Sequence, residues 1–224
     1  MPGGADDWVY VVTDVEFDGP WPGPNSMLSI ASVAVRLDGT RHGEFDAVLE
    51  PLPGAGPNPA TLAWFQTQPE AWLAATTGRR PVADVMSDYV GWVRGLPARR
   101  MFASSPLALD AVWVDYYLRR FTTYAVLQGP NEPDPLFTGP GLCIRSFAAG
   151  VTGRPVADLI ADAFPPAWLG EVSHSHRAID DAARRIVQMA SPYAAFPADI
   201  RRDTDIIEIT RTWTFTRSDA LETR

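Results

Sequence analysis

The 224-residue sequence predicts an α/β fold in which helices flank a mixed β-sheet, and three observations carry that expectation. Apolar, alternating segments at 8–17, 27–36 and 43–50 follow one another with only short loops between them. Helical patterning at 61–75, 82–93 and 107–121 comes next, and a short apolar run at 101–105 interrupts it. Consecutive strands followed by helices that alternate with a strand make a layered mixed sheet. A dinucleotide-binding arrangement is disfavoured, because no Gly-x-Gly-x-x-Gly turn follows the first strand and the early loops are too short for helical crossovers.

The first strand, Val9-Tyr-Val-Val-Thr-Asp-Val-Glu-Phe17, ends at a loop from Asp18 to Asn25 in which proline and glycine forbid a helix. The second and third strands are joined by the turn Leu37-Asp-Gly-Thr40, so the three form an antiparallel meander. Pro51 to Pro59 is a second proline and glycine loop. Thr61 to Ala75 reads as two short helices divided near Pro69, with Trp64, Phe65 and Trp72 as large apolar contributors, and Val82 to Val93 as a further helix. Pro106 suits the first turn of a helix from Leu107 to Phe121. Gly129 to Gly141 reads as a loop, and Leu142–Gly150, Val156–Ala163 and His176–Met189 as helices. Past Pro192 the alternation of Ile207, Ile209, Arg211, Trp213 and Phe215 predicts a late strand or ordered arm. The expected division is a main domain over 5–192 and an arm or added strand over 193–224.

Composition narrows the function classes. A hydrophobic fraction of 46% with 21% charged residues is that of a soluble globular chain. Residues 1–30 hold no basic segment leading into an apolar core, and no stretch reaches the roughly eighteen apolar residues of a membrane span, so no membrane partner is expected. The single cysteine, Cys143, excludes an internal disulfide and a cysteine-rich zinc site; it predicts a reducing, cytoplasmic setting and a buried structural thiol. The net charge of -8 argues against broad electrostatic wrapping of nucleic acid, although a site that grips one chain end through cations remains compatible with it. Every fixed positive charge is arginine, which removes lysine nucleophiles and Schiff bases; biased genomic base composition is the plainer source of that pattern.

The chemistry-bearing candidates start with Asp14 and Glu16. A strand's period of two puts both carboxylates on one face, next to apolar neighbours, where desolvation and mutual repulsion call for a cation. Asp18 belongs to the glycine-proline turn, where aspartate caps backbone. Asp110 reads either as an early helical acid favoured by the helix dipole or as a group projected over a sheet edge by the preceding strand. His174 and His176 compete for one role, and either could cap a helix instead. Asp180 and Asp181 are adjacent on the expected helix, so only one of them faces a given site.

Taken together, Asp14-Val-Glu16, Asp110 in Leu-Asp-x-x-Trp, and His176-x-Ala-x-x-Asp181-Ala resemble the three motifs of the DnaQ-like DEDDh class of 3'-5' exonucleases over roughly residues 8–190. The last motif selects His176 over His174 and Asp181 over Asp180. Thr61-Leu-Ala-Trp-Phe-Gln-Thr-Gln68 also resembles a signature of the branch containing RNase T and exodeoxyribonuclease VIII.

The resemblance implies an RNase H-like sheet and a pair of Mg2+ or Mn2+ ions held by Asp14, Glu16, Asp110 and Asp181. It implies His176 as general base, a single-stranded DNA or RNA 3' end as partner, and a homodimer as one state of assembly. Phe17 and Asp18 would approach the terminal nucleotide. Apart from the resemblance, Trp64 reads equally as a core residue and as a ring for base stacking, and Arg177, beside the expected base, is the first arginine to test for phosphate contact. Where the family has His-Asn before its second aspartate this chain has Ser104-Ser105-Pro106, and Phe17-Asp18-Gly19 replaces the usual Thr or Ser before glycine. The alternatives are a catalytically silent nucleic-acid-binding or assembly domain of the same fold, and a hydrolase of other metal-bound phosphate esters.

Overall fold

β-Branched and aromatic residues dominate the first strand, and in the computed structural model they form the middle of a sheet. Its strands are β1 (Val9–Phe17), β2 (Met27–Val35), β3 (Arg41–Val48), β4 (Arg100–Ser104) and β5 (Leu142–Cys143), in the order β3-β2-β1-β4-β5. The structure describes residues 8–36, 39–129, 133–159, 178, 179 and 182, and the backbone of Trp213–Phe215 and Leu221–Thr223. The meander β1-β2-β3 is antiparallel, whereas β4 runs parallel to β1 and β5 parallel to β4. With helices against it, this is the RNase H-like arrangement. The helices are α1 (Pro59–Gln66), α2 (Pro69–Thr76), α3 (Val82–Gly95), α4 (Leu107–Phe121) and α5 (Ile144–Thr152).

The alternation of β1 sorts its side chains onto two faces. Val9, Val11 and Val15 enter the main core with Val85, Met86 and Tyr89 of α3 and Trp113, Val114 and Tyr117 of α4. Val12 enters a second core with Val33, Ala103, Ile144 and Ala182. The face that holds Val12 also holds Asp14 and Glu16. A polar chain lies within the main core: Thr13 Oγ1 and Ser32 Oγ are 2.7 Å apart, and Ser32 Oγ lies 3.4 Å from the Tyr89 hydroxyl. Burial pushes that hydroxyl up to about 12, so it stays protonated and able to donate.

Prolines and caps set the helix boundaries. Asn58 Oδ1 accepts the N–H groups of Ala60 and Thr61 at the start of α1, and Pro69 at the start of α2 divides the two short helices, as the sequence predicts. The buried stripe Val82, Val85, Met86, Tyr89 and Val93 follows the helical period along α3. Arg100 fastens the segment before β5, donating from Nε to the Leu136 carbonyl at 2.7 Å.

Two expectations change. Leu142 and Cys143 form β5 rather than the start of a helix, because they pair with Ala103 and Ser104. Gly141 permits that approach: it has φ +78°, and a Cβ there would lie 3.3 Å from the Leu107 methyls. Val156–Asp158 is a single 3-10 turn closed by Leu159 N–H to Val156 O at 3.1 Å, and no α-helix continues through Leu159. The rest of that expected helix, and most of the one at 176–189, lies outside the described residues.

By contacts the chain divides into two compact units, Met1–Pro192 and Tyr193–Arg224. In the second, Trp213–Phe215 and Leu221–Thr223 pair as antiparallel strands β6 and β7. No helix among the described residues is long and apolar enough to cross a membrane.

Candidate active site

β1 and β4 are parallel neighbours, so their carboxyl ends lie at the same edge of the sheet. Asp14 and Glu16 occupy the end of β1, and β4 passes through Ser105-Pro106 directly into α4, whose first turn carries Asp110. Crevices at strand carboxyl ends are where open α/β sheets place their ligands. Asp14 is 5% exposed and Asp110 is 2% exposed, while Glu16 is half-buried. Two carboxylates this deep make the edge costly unless polar or cationic groups compensate them.

The third motif is described at three positions. Ala182 is buried beside Val12 on the Asp14 face, and Ile179 packs against the same cluster. Ala178 and Ile179 line a cavity of about 90 Å³ together with Glu16, Ser29, Asp46, Val48, Ala74 and Ala75. Residues of the first and third motifs are thus neighbours in space. His174, His176, Arg177, Asp180 and Asp181 lie outside the described residues. Among the described residues alone, no group of three or more His, Cys, Asp or Glu side chains is placed to hold a metal ion.

A β-bulge follows Glu16, where the β1–β2 register shifts between Glu16–Ser29 and Phe17–Met27. Phe17 then stacks flat on Trp113 of α4, with centroids 4.9 Å apart and planes 5° from parallel. The Met27 N–H donates to the Tyr117 hydroxyl at 2.7 Å, which ties the bulge to α4 a second time. Aromatic packing and this hydrogen bond therefore fix the helix that carries Asp110 against the strand that carries Asp14 and Glu16.

Asp18 accepts the Ser26 N–H at 2.6 Å and is 5% exposed. Next to it, a Cβ on Gly19 would fall 2.3 Å from Asn25 Cγ, and Asn25 reaches on to donate to the Gly56 carbonyl at 2.8 Å. Burial pushes the Asp18 carboxyl above its ordinary 3.8, outweighing the Ser26 N–H that favours the anion. The folded chain retains this proton where the unfolded chain has lost it. The contribution of Asp18 to stability therefore falls as pH rises from 3.8 through the raised folded value. Asp18→Asn keeps an acceptor for Ser26 and removes the buried charge. It is expected to flatten this part of the stability curve and to gain stability over the parent at neutral pH. Thermal melts of both proteins at about pH 4 and about pH 7 check this, and a parent-sized fall in the variant would contradict it.

Trp64 and Phe65 part company. Phe65 is buried with Leu28, Ala71 and Ala75, whereas Trp64 meets it edge-on at 4.9 Å and stays 41% exposed. Sequence reasoning missed Asp46 and Ser29. The signal was the meander register, which pairs Asp14 with Ala31 and Ala31 with Asp46, putting Asp46 on the carboxylate face two strands over, across β2.

Neither a family model nor a curated protein matches the sequence. Solved structures do resemble the fold. E. coli exonuclease I in complex with a dT13 oligonucleotide superposes with a TM-score of 0.60 at 14% identity, covering 81% of this chain and 40% of that one. The zinc-bound E. coli exonuclease I complex with single-stranded DNA gives 0.59 at 14% identity, covering 81% and 39%. The nuclease domain of 3'hExo, a DEDDh family member bound to rAMP, gives 0.54 at 10% identity, covering 82% and 88%. This chain spans about two fifths of the exonuclease I chains, and nearly the whole of the 3'hExo nuclease domain. The fold of this chain is accordingly the RNase H-like fold shared by exonuclease I and the DEDDh nuclease domain.

Proposed function

We propose that this chain is a metal-dependent 3'-5' exonuclease that hydrolyses phosphodiester bonds at the 3' end of single-stranded DNA or RNA in the cytoplasm. The observation that carries the reading is the meeting of motifs distant in sequence. Ala178, Ile179 and Ala182 lie against the β1 face of Asp14 and Glu16, and α4, with Asp110 in its first turn, follows the carboxyl end of the neighbouring strand.

The donor types suit divalent cations, although among the described residues Asp14, Glu16 and Asp110 do not by themselves make a three-ligand group and the reading needs Asp181 to complete it. Asp14 and Asp110 are hard oxygen donors held in a largely apolar frame, and Glu16 adds a third at the cavity edge. In this reading Asp14, Glu16, Asp110 and Asp181 hold Mg2+ or Mn2+, of which two per site are expected. When bound, the cations neutralise charge on the attacked phosphate and lower the pKa of water.

The remaining work belongs to side chains. His176 accepts the proton of the attacking water as general base. The Phe17–Trp113 stack and the Tyr117 hydrogen bond keep the strand and helix carboxylates in a fixed relation, so little reorganisation is needed as charge develops. Trp64 presents a partly exposed ring for base stacking, and Arg177 a guanidinium for phosphate. Phe17 and Asp18 belong to the end of β1 and the loop beyond it, where the terminal nucleotide would sit. A homodimer and an arm over 193–224 belong to the same reading.

The test is incubation with single-stranded DNA and RNA labelled at either end, with Mg2+, Mn2+ or chelator. A ladder shortening from the 3' end that vanishes with chelator is expected. Absence of products on both sugars with both metals would favour the silent binding domain of the same fold.

A further inference from the structure

Away from the carboxylates, α4 borders a groove of about 1040 Å³ whose lining is mainly apolar, including Pro22, Leu107, Val112, Tyr116, Leu127 and Val156. One nucleophile lines it. Cys143 is half-buried, at the junction of β5 and α5 and beside Leu107 at the start of α4 in the groove lining. The backbone N–H groups of Leu107, which opens α4, and of Arg145 and Ser146, in the first turn of α5, favour the thiolate, as does the Ser146 hydroxyl, although the Cys143 side chain makes no capping hydrogen bond at the start of α5. Burial pushes the thiol up, but these donors together bring it below the ordinary 9.0.

A second, independent feature shares the spot. Ser104 pairs with Cys143 in the parallel β4–β5 ladder, so the two side chains stand on the same face of adjacent strands. Ser104 is 0% exposed, and among the described residues its Oγ has no hydrogen-bond partner. A buried hydroxyl without a partner is costly, and the strand neighbour on its face is a thiol, which carries no oxygen. Adding one oxygen atom to that sulfur would supply the missing acceptor.

We propose that Cys143 is a redox-modification site, at which a hydroperoxide entering by the groove converts the thiol to a sulfenic acid whose oxygen accepts the Ser104 hydroxyl. The thiol first releases its proton to solvent, and the sulfur then attacks the terminal peroxide oxygen. An S–O bond forms and the O–O bond breaks. Sulfur loses two electrons, and the departing oxygen takes up a proton to leave as water or an alcohol. With one cysteine in the chain, no internal disulfide can follow, so return to the thiol requires an external thiol of the glutathione class. The charged and titratable groups lining the same groove are Asp115, Tyr116, Arg119 and Arg120, with Arg145 on the helix of Cys143 itself. The thiol chemistry is independent of the nuclease reading. Because Leu107 opens the helix that carries Asp110, a change in turnover on oxidation would be an added consequence if that reading holds.

The test treats the full chain with graded hydrogen peroxide, traps sulfenic acid with a cyclic 1,3-diketone and weighs the products by mass spectrometry. In parallel it follows iodoacetamide alkylation against pH. A single adduct at Cys143, absent in Cys143→Ser, is expected. So are alkylation with a midpoint below that of an unstructured cysteine peptide and peroxide reactivity on the order of tenfold above that peptide at neutral pH. Ser104→Ala removes a hydroxyl that has no partner and is expected to fold. It should shorten the life of the sulfenic acid and favour over-oxidation several-fold, while leaving the alkylation midpoint unchanged. An alkylation midpoint at the ordinary thiol value with no trapped adduct would overturn the site. An unchanged sulfenic lifetime in Ser104→Ala would overturn the role of the serine.

Discussion

Replacing Asp14 by asparagine is expected to abolish hydrolysis of a 3' end while leaving the fold intact. The side chain is 5% exposed on a central strand, and asparagine matches its shape, so the packing around Val12 and Ala31 need not move. What changes is chemical. On the proposed reading, a carboxylate that would hold a cation becomes a neutral amide, and the site would lose several kcal/mol of stabilisation of developing phosphate charge. At about 1.4 kcal/mol per factor of ten, the rate should fall roughly a thousandfold or more. Removing one of several neighbouring acids should leave metal-free thermal stability unchanged or slightly raised. Product formation from labelled oligonucleotide at saturating Mn2+, alongside a melt of the same preparation, measures both. A variant that melts normally and still cuts would withdraw Asp14 from the site.

Legibility from sequence followed the strength of local signals. β1 and β2 could be placed almost to the residue because their apolar alternation is long and their loops are rich in proline and glycine, and α4 because Pro106 precedes its periodic face. β5 could not, since two residues carry no period and its existence depends on the parallel ladder to β4. The carboxylates of β1 announced themselves by standing in an apolar run. Asp46 did not, because its strand is largely exposed and an acid there looks like ordinary surface until the register sets it across β2 from Asp14. Cys143 was expected to be a buried structural thiol. It is half-buried, and the N–H groups that favour its thiolate belong to the starts of two helices distant in the chain, Leu107 of α4 and Arg145 and Ser146 of α5.

The parent protein should gain thermal stability on titration with Mn2+, and Asp14→Asn or Asp110→Asn should lose most of that gain. A cation bound by the folded chain alone stabilises it by mass action, about 2.7 kcal/mol at a hundred times the dissociation constant. For a chain of this size, each kcal/mol moves the melting temperature by about 2–4 °C, so a rise of roughly 5–10 °C is expected. Binding and turnover are thereby separated, because a silent domain that kept the carboxylates would still show the shift. Asp46→Asn refines the location. Asp46 lies on the same face as Asp14 but beyond β2, whereas Asp110 sits in the first turn of the helix on the β4 side. A shift that survives Asp46→Asn and vanishes with Asp110→Asn places the cation between β1 and α4; the reverse pattern would move it toward β3. No shift in the parent protein, or an equal shift in all three variants, would detach the buried acids from metal binding. Their burial would then have to be explained by hydrogen bonding alone.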